Sequence, residues 1–151
     1  MSTAAPKLGS ALDNPVDLLE ILKEAKTIAV VGCSSKRTRP SHSISRYLLQ
    51  NGYRIIPVNP NYEVFHDQPC YPDLASVPLD VVIDIINVFR NPRSMRDVVR
   101  AAVERSDRTS RKPVIWTQLG VSTPEAERMA TEAGFPYVAN RCILREHVAM
   151  R

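Results

Sequence analysis

The residues best suited to chemistry are concentrated in one loop, GCSSKRTRPSHS, which follows an apolar stretch of the chain. After a single glycine, Gly32, come thiol, hydroxylated and basic side chains: Cys33, Ser34, Ser35, Lys36, Arg37, Arg39, Ser41 and Ser43. An amphipathic segment comes next, so the loop leads into a helix, whose unpaired first amides and dipole favour anions. The hydroxyls can donate hydrogen bonds, and the basic residues supply positive charge. The loop therefore predicts a phosphate-binding site.

This loop departs from both common nucleotide-binding patterns. The dinucleotide fingerprint G-x-G-x-x-G would need glycines at Ser34 and Arg37, and the P-loop pattern G-x-x-x-x-G-K-[ST] is absent. The next predicted strand ends in Val58, Asn59 and Pro60, not in the acidic residue that accepts the ribose hydroxyls of NAD. A long, serine-rich and basic loop fits a more highly phosphorylated nucleotide better. Coenzyme A, with a pyrophosphate and a ribose 3′-phosphate, is such a ligand.

Other catalytic and metal-binding patterns are missing from the sequence. The three cysteines form no C-x-x-C pair, and the three histidines have no metal-ligand spacing, so neither a zinc site nor a disulfide framework is predicted. The chain has no G-x-S-x-G motif and no paired carboxylates at an expected strand end. We therefore predict no metal site and no catalytic residue, and we expect a binding protein rather than an enzyme.

Two of the cysteines, Cys33 and Cys142, need separate interpretation. Because Cys33 lies next to a helix N-terminus and basic residues, its thiol could have a lowered pKa and form a mixed disulfide with bound CoA. The alternative for Cys33 is a buried, inert thiol. Cys142 follows a predicted strand, and we expect it to lie in the core rather than to act as a nucleophile.

Alternating strands and helices are predicted to position the loop. Apolar runs bounded by glycine or proline predict five strands, at residues 27–32, 54–60, 79–89, 113–120 and 136–142. Helical spacing predicts helices at 16–26, 43–51, 92–104 and 122–134, and a short helix at the C-terminus. Ser122 or Thr123 is predicted to cap the fourth helix. A proline-punctuated connection with at most one helical turn, at 74–78, follows the second strand, and residues 105–112 are predicted to be a polar link.

This order of elements predicts a doubly wound, Rossmann-like α/β fold with a five-stranded parallel sheet in a three-layer α/β/α arrangement. The predicted strand order is 3-2-1-4-5. With 151 residues, the chain is predicted to contain a flexible leader, residues 1–12, and one domain, residues 13–151. No apolar run approaches the roughly 20 residues that span a bilayer, so we expect no membrane partner and a cytoplasmic location. The net charge of +4 comes without a continuous basic stripe, so we expect no nucleic-acid partner.

In a doubly wound sheet, ligands bind beyond the carboxyl ends of the strands, where neighbouring crossovers go to opposite faces. Five segments reach that edge: GCSSKRTRPSHS, NPNYE, NVFRNP, TQLG and NRC. Together with AVVGCSS, PVNP and WTQLG, these segments resemble the small CoA-binding proteins, which share their domain with the nucleotide-binding portion of succinyl-CoA synthetase α subunits. The resemblance extends from about Lys26 to His147, and the motifs occur in the family's order.

The resemblance implies a set of CoA-binding residues at the carboxyl edge. Gly32, Cys33, Ser34 and Ser35 match the loop around the CoA phosphates, and Ser43 matches the helix start beneath it. Asn59, Pro60, Asn61 and Tyr62 match the turn near the nucleotide. Val88, Phe89 and Arg90 match the segment that flanks the adenine or the pantetheine. Gln118 and Gly120 match the fourth strand end, closer to the thiol arm. From the loop's own charge, Lys36 and Arg37 are predicted to help hold the phosphates.

The predicted function is therefore binding of coenzyme A or an acyl-CoA. One alternative is an NAD(P)-linked oxidoreductase, in which Arg37 and Arg39 would favour a 2′-phosphate. The other is a CoA-sensing module that binds a protein partner, and a second copy of the chain is a further candidate partner. The synthetases use a phosphorylated histidine from a separate domain, so ligase activity of this domain alone is not expected.

Overall fold

The structure of the protein is a computed structural model, which describes residues 15–61, 64–65 and 68–151. The predicted leader, residues 1–12, therefore lies outside the described residues. The strands are β1 (Thr27–Val31), β2 (Arg54–Val58), β3 (Val64–Phe65), β4 (Gln68–Pro69), β5 (Ile85–Val88), β6 (Val114–Thr117) and β7 (Tyr137–Val138). The helices are α1 (Pro15–Glu24), α2 (Pro40–Gln50), α3 (Met95–Thr109), α4 (Pro124–Glu132) and α5 (Ile143–Ala149), with 3-10 turns at Leu74–Ser76 and Pro92–Ser94.

Five of these strands form one parallel sheet in the order β2-β1-β5-β6-β7, and β3 and β4 form a separate two-stranded sheet. If only these strands are numbered along the chain, the order is 2-1-3-4-5, so the predicted order 3-2-1-4-5 is wrong. After β2 the chain crosses β1 through the β3–β4 hairpin and a 3-10 turn, without an α-helix, and adds β5 on the far side of β1. The direction of winding therefore reverses between β1 and β5, and the loops after these two strands diverge.

Helices cover both faces of the sheet, which confirms the predicted three-layer α/β/α arrangement. Alternate residues of each strand point to opposite faces, and strands buried on both sides need apolar residues at nearly every position. On one face, Leu18, Leu22 and Leu48 of α1 and α2 pack with Trp116. The other face is covered by α3 and α4 through residues that include Met95, Val99, Ala126 and Ala130. β1, which lies inside the sheet, is buried along its whole length.

The third predicted strand, residues 79–89, is too long at its beginning, because only Ile85–Val88 forms strand. Arg105 of α3 points inward and donates hydrogen bonds to the carbonyl oxygens of Val77, Pro78 and Val81, at 2.7, 2.8 and 2.9 Å. The three carbonyl groups surround the guanidinium group of Arg105. The segment is therefore a loop that satisfies a buried charge, not a strand that pairs with β1.

The same arginine explains why the predicted polar link, residues 105–112, is wrong in its first half. α3 continues to Thr109 and ends at Ser110, which has a left-handed φ of 60°. Arg105 and Ser106 are both buried in this last part of the helix. The cap predicted for α4 is found at Thr123, whose hydroxyl accepts a hydrogen bond from the Ala126 amide at 3.1 Å.

Candidate functional site

A cleft of about 560 Å³ lies above the carboxyl ends of the strands, at the point where the winding reverses. Its lining comes from the loops after β1, β2, β5 and β6 and from the beginnings of α2 and α5. The lining residues are Gly32, Ser34, Arg39, Pro40, Ser41, Ile44, Asn59, Asn61, Phe89, Arg90, Asn91, Gln118, Leu119, Val121 and Cys142. Volume and position both correspond to a small-molecule site.

Gly32 sits where the loops after β1 and β5 touch. Its φ is +90°, and a Cβ atom there would lie 2.2 Å from the carbonyl oxygen of Phe89. The Gly32 amide donates to the carbonyl of Val58 at 2.8 Å, which joins it to the end of β2 as well. A side chain at this position would force the two loops apart, so the inner end of the cleft requires glycine.

The hydroxyl groups of the serine-rich loop are partly used within the protein. The Ser41 hydroxyl accepts a hydrogen bond from the Ser34 amide at 3.0 Å, and the Ser34 hydroxyl accepts one from the Lys36 amide at 3.0 Å. α2 begins at Pro40, three residues earlier than predicted, and Arg39 at its N-cap forms no side-chain cap. Pro40 has no amide hydrogen, and the amides of His42 and Ser43 donate to the Arg39 carbonyl at 3.0 and 3.4 Å. The Ser41 amide, which has no acceptor among the described residues, is therefore the first-turn donor left for a ligand, next to an exposed arginine that lines the cleft.

Asn59 ties together the turns that follow β1 and β2. Its Nδ2 donates to the carbonyl oxygen of Cys33 at 3.0 Å, and its Oδ1 accepts from the Asn61 amide at 2.9 Å. The residue lines the cleft but is only 8% exposed. Because both ends of its amide have partners inside the protein, Asn59 shapes the cleft wall.

Gln118 has one amide atom in use and one to spare. Its Oε1 accepts a hydrogen bond from the Ile143 amide at 3.0 Å, which joins the end of β6 to the start of α5. Among the described residues, its Nε2 has no hydrogen-bond partner, although the side chain is only 6% exposed. Because Gln118 lines the cleft, this Nε2 is a donor available to a ligand.

The positively charged side chain of Arg90 lines two clefts. It lines the main cleft and also a smaller cleft of about 170 Å³ on the α3 face, where Pro60, Ser94 and Asp97 are among its neighbours. Its Nη2 donates to the Ser94 hydroxyl over a long 3.4 Å. The guanidinium therefore retains donors for an anionic ligand.

The structure does not bring every predicted residue to the main cleft. Among the predicted set, the cleft is lined by Gly32, Ser34, Asn59, Asn61, Phe89, Arg90 and Gln118. Ser35, Lys36, Arg37, Ser43 and Gly120 are exposed and do not line it, Pro60 lines the smaller cleft, and Val88 is part of the core. Tyr62 lies outside the described residues. For all of these residues, contact with a ligand stays a prediction.

Cys33 faces the core below α2 and is only 1% exposed. Its Sγ donates to the Ser45 hydroxyl at 3.7 Å. Burial raises the pKa of the Cys33 thiol to about 12, and the hydrogen bond with Ser45, which lowers the pKa, has the smaller effect. Of the two interpretations of Cys33, the geometry therefore favours the inert thiol.

Two further cleft residues, Arg39 and Ser41, belong to the loop that was predicted to bind phosphates, and the cleft also includes residues that no motif assigned: Pro40, Ile44, Asn91, Leu119, Val121 and Cys142. Most of them adjoin an assigned residue in sequence, so a wider window around each motif would have found them. Cys142 is different: it packs against the core, as expected, but it is only half-buried, lies at the N-cap of α5 and also lines the cleft. Its exposure depends on where α5 begins, which the apolar pattern did not define.

The residues that the structure describes contain neither a cluster of metal ligands nor a helix that could cross a membrane. No group of three or more His, Cys, Asp or Glu side chains there is arranged to hold a metal ion. None of the described helices combines the length and the apolar character that crossing a membrane requires.

Comparison with known proteins gives one family and several relatives. Residues 26–148 match the model of a family described as "CoA binding domain". The uncharacterized protein YneT of Bacillus subtilis is 34% identical over 142 residues, which cover 93% of this chain and 100% of YneT. The solved structure of a hypothetical protein from Pyrococcus horikoshii OT3 matches with a TM-score of 0.83 at 35% identity, covering 99% of both chains.

A more distant similarity concerns a larger enzyme. Over 65 residues, the chain is 38% identical to acetate–CoA ligase [ADP-forming] II of Archaeoglobus fulgidus. The matched part is 42% of this chain and only 10% of that enzyme. The similarity is therefore one of a segment, not of the whole ligase.

Proposed function

This chain belongs to the CoA-binding domain family, as its sequence motifs predicted, and we propose that it binds coenzyme A or an acyl-CoA in the cleft above the sheet. The observation that carries the proposal is a coincidence of two independent results. The family match covers residues 26–148, and the cleft at the reversal of winding is lined entirely by residues within that range. The family match supports CoA as the class of ligand, and the position of the cleft in the fold supports it as the binding site.

The phosphates are proposed to bind at the end of the cleft formed by Gly32, Ser34, Arg39 and the start of α2. The Ser41 amide in the first turn of α2 offers a donor, and Arg39 adds a charge beside it. Arg90 supplies a second guanidinium from the other side of the loop contact at Gly32. Charge-assisted hydrogen bonds of this kind are the strong contacts of a phosphate site.

The thiol arm is proposed to extend toward Gln118 and Cys142. The unpartnered Nε2 of Gln118 suits a carbonyl oxygen, and the arm of CoA contains amide carbonyls. Leu119 and Val121 line the same part of the cleft and offer apolar contact. An arm with alternating amide and methylene groups fits this mixture of a donor and apolar walls.

We propose binding rather than turnover by this domain. Both amide atoms of Asn59 and the Oε1 of Gln118 are hydrogen bonded to backbone groups, so they do not form a chain for proton transfer. The ligase relative is matched over 10% of its length, and its activity is not carried over to this chain. Because CoA is an intracellular cofactor, we expect the protein to act in the cytoplasm.

Isothermal titration calorimetry with CoA, dephospho-CoA, AMP and NADPH tests the proposal. We expect CoA to bind, dephospho-CoA to bind about tenfold more weakly through loss of charge-assisted contacts, and NADPH to bind least. NADPH binding tighter than CoA binding would instead support the oxidoreductase alternative. Equal binding of CoA and AMP would contradict the proposal, because the arm would then contribute nothing.

A pair of matched variants locates the phosphates. Arg39→Gln removes a guanidinium that lines the cleft, and Arg37→Gln removes one that is exposed two residues earlier in the same loop. We expect about a tenfold loss of CoA affinity for Arg39→Gln and less than about a twofold loss for Arg37→Gln. Equal losses would mean that the loop acts only through its net charge, and a larger loss for Arg37→Gln would move the phosphates away from the cleft.

A further inference from the structure

The thiol of Cys142 differs from the other two cysteines in its surroundings. Cys33 and Cys70 are buried, at 1% and 8% exposure. Cys142 is half-buried, lies at the N-cap of α5 and lines the cleft. Among the three thiols, it is therefore the one that a molecule in the cleft can reach.

A second observation places a ligand group beside this thiol. Gln118 is held by the hydrogen bond from the amide of Ile143, the residue that follows Cys142. Gln118 is only 6% exposed and lines the cleft, and its Nε2 has no partner among the described residues. Because this donor has no acceptor within the protein, a ligand in the cleft that brings an acceptor can form a hydrogen bond with it.

We propose that Cys142 is a thiol–disulfide exchange site that becomes linked to coenzyme A through a mixed disulfide. The proposal rests on the proposed function, because the cleft must bind CoA for its arm to approach Cys142. The sequence suggested Cys33 as the residue that would form a mixed disulfide. The proposal assigns this role to Cys142, which lines the cleft.

The exchange needs no external oxidant when the partner is the symmetric disulfide of CoA. The Cys142 thiolate attacks one sulfur of that disulfide, the bond between the two CoA sulfurs breaks, and a bond forms between Cys142 and one CoA. The second CoA leaves as a thiolate and takes up a proton equivalent to the one that Cys142 lost. One disulfide is consumed and one is formed.

Binding in the cleft would give this exchange its selectivity. A bound CoA half holds its sulfur at a high effective concentration next to Cys142, whereas a disulfide without affinity for the cleft reacts only by collision. Glutathione disulfide is the suitable comparison, since it exchanges by the same chemistry but lacks the nucleotide. The rate difference between the two reagents therefore reports on recognition by the cleft.

The test measures adduct formation on the full chain by intact mass, followed by peptide mapping. Reduced protein is mixed with the disulfide of CoA or with glutathione disulfide at equal concentration, and the adduct is reversed with dithiothreitol. We expect one CoA per chain, on Cys142, formed about tenfold or more faster than the glutathione adduct. Cys142→Ser should form no adduct, and Cys70→Ser, which keeps the cleft thiol, should form it as before.

Calorimetry with CoA on the unmodified protein separates the two possible failures. If CoA binds but the adduct is absent, forms equally fast with glutathione disulfide, or maps to Cys33 or Cys70, the exchange proposal is overturned and the proposed function stands. If CoA does not bind, both proposals fall. Because mapping on the wild-type chain identifies the modified cysteine directly, the result does not depend on whether a variant folds.

Discussion

The two ends of the cleft are built on different principles. At the basic end, formed by Gly32, Ser34, Arg39 and Ser41, the serine hydroxyls are bonded to the loop itself and help to shape it. At the thiol end, formed by Gln118, Leu119, Val121 and Cys142, an amide donor and a thiol that line the cleft have no such partner among the described residues.

This difference indicates where each end keeps its binding capacity. At the basic end the side-chain hydroxyls fix the backbone, so a ligand would meet a helix amide and guanidinium groups. At the thiol end the backbone is held by Gln118, and a ligand would meet side chains. Substitutions at the basic end should therefore reduce both the stability of the protein and its affinity for the ligand. Substitutions at the thiol end should mainly reduce the affinity for the ligand.

The largest effect is expected from Gly32→Ala. The new Cβ would lie 2.2 Å from the Phe89 carbonyl oxygen, a backbone atom that cannot move without separating two loops. We expect the free energy of unfolding, measured by chemical denaturation, to fall by about 3 kcal/mol or more. CoA binding should be lost in the same variant.

Gly52→Ala is the matched control for this prediction. Gly52 has a similar φ of +94°, but a Cβ there would meet no atom within 4 Å. Its cost should be the backbone strain alone, about 1–2 kcal/mol. Similar losses for both variants would mean that the contact between the loops at Gly32 contributes little to stability.

A smaller effect is expected from Asn59→Ala. This change removes the side-chain hydrogen bonds to the Cys33 carbonyl and the Asn61 amide. We expect the free energy of unfolding to fall by about 2 kcal/mol, since the buried Cys33 carbonyl and the partly buried Asn61 amide lose their partner. Asn61→Ala, in the same turn, keeps both bonds because Asn61 contributes only its backbone amide. A thermal denaturation series in which both variants lose equal stability would contradict the role given to Asn59.

The roles of these amides show how far the sequence could lead. Residue type and position after a strand were enough to assign Asn59 and Gln118 to the carboxyl edge. They could not decide whether an amide bonds to a ligand or to the backbone, because this depends on partners such as Ile143, which is 25 residues away in sequence. The motifs predicted part of the cleft lining, and the contacts between elements divided those residues into structural and available groups.

Charged residues misled the sequence interpretation in a different way. Arg105 was counted as part of a solvated link, yet it is buried by carbonyl groups of the segment before β5. Because Arg105 lies within α3 and binds the carbonyl groups of Val77, Pro78 and Val81, α3 is longer and β5 is shorter than predicted. The predicted strand order was also wrong. The described part of the connection after β2 contains no α-helix, so the sequence had no apolar helix face to indicate on which side of β1 the next strand is added.

The last and smallest effect is a pH dependence confined to the thiol end. α5 starts at the amide bonded to Gln118, and farther along it carries His147, which is only 6% exposed. The His147 Nδ1 is hydrogen bonded to the Tyr47 hydroxyl at 2.7 Å, and Arg151 approaches the same hydroxyl at 3.5 Å. Burial lowers the pKa of His147 below its ordinary value of 6.5, and the charge of Arg151 adds to this effect.

Because the folded protein favours neutral His147, its contribution to stability is complete above pH 6.5 and is lost as the pH falls through the lowered folded pKa. We expect the free energy of unfolding to decrease more steeply as the pH falls below 6.5 in the wild type than in His147→Gln, which cannot titrate. Hydrogen exchange over the same range should accelerate in α5 and not at the start of α2. If both helices respond equally, the two ends of the cleft are coupled through the sheet, and the division between a structural basic end and an independently held thiol end is wrong.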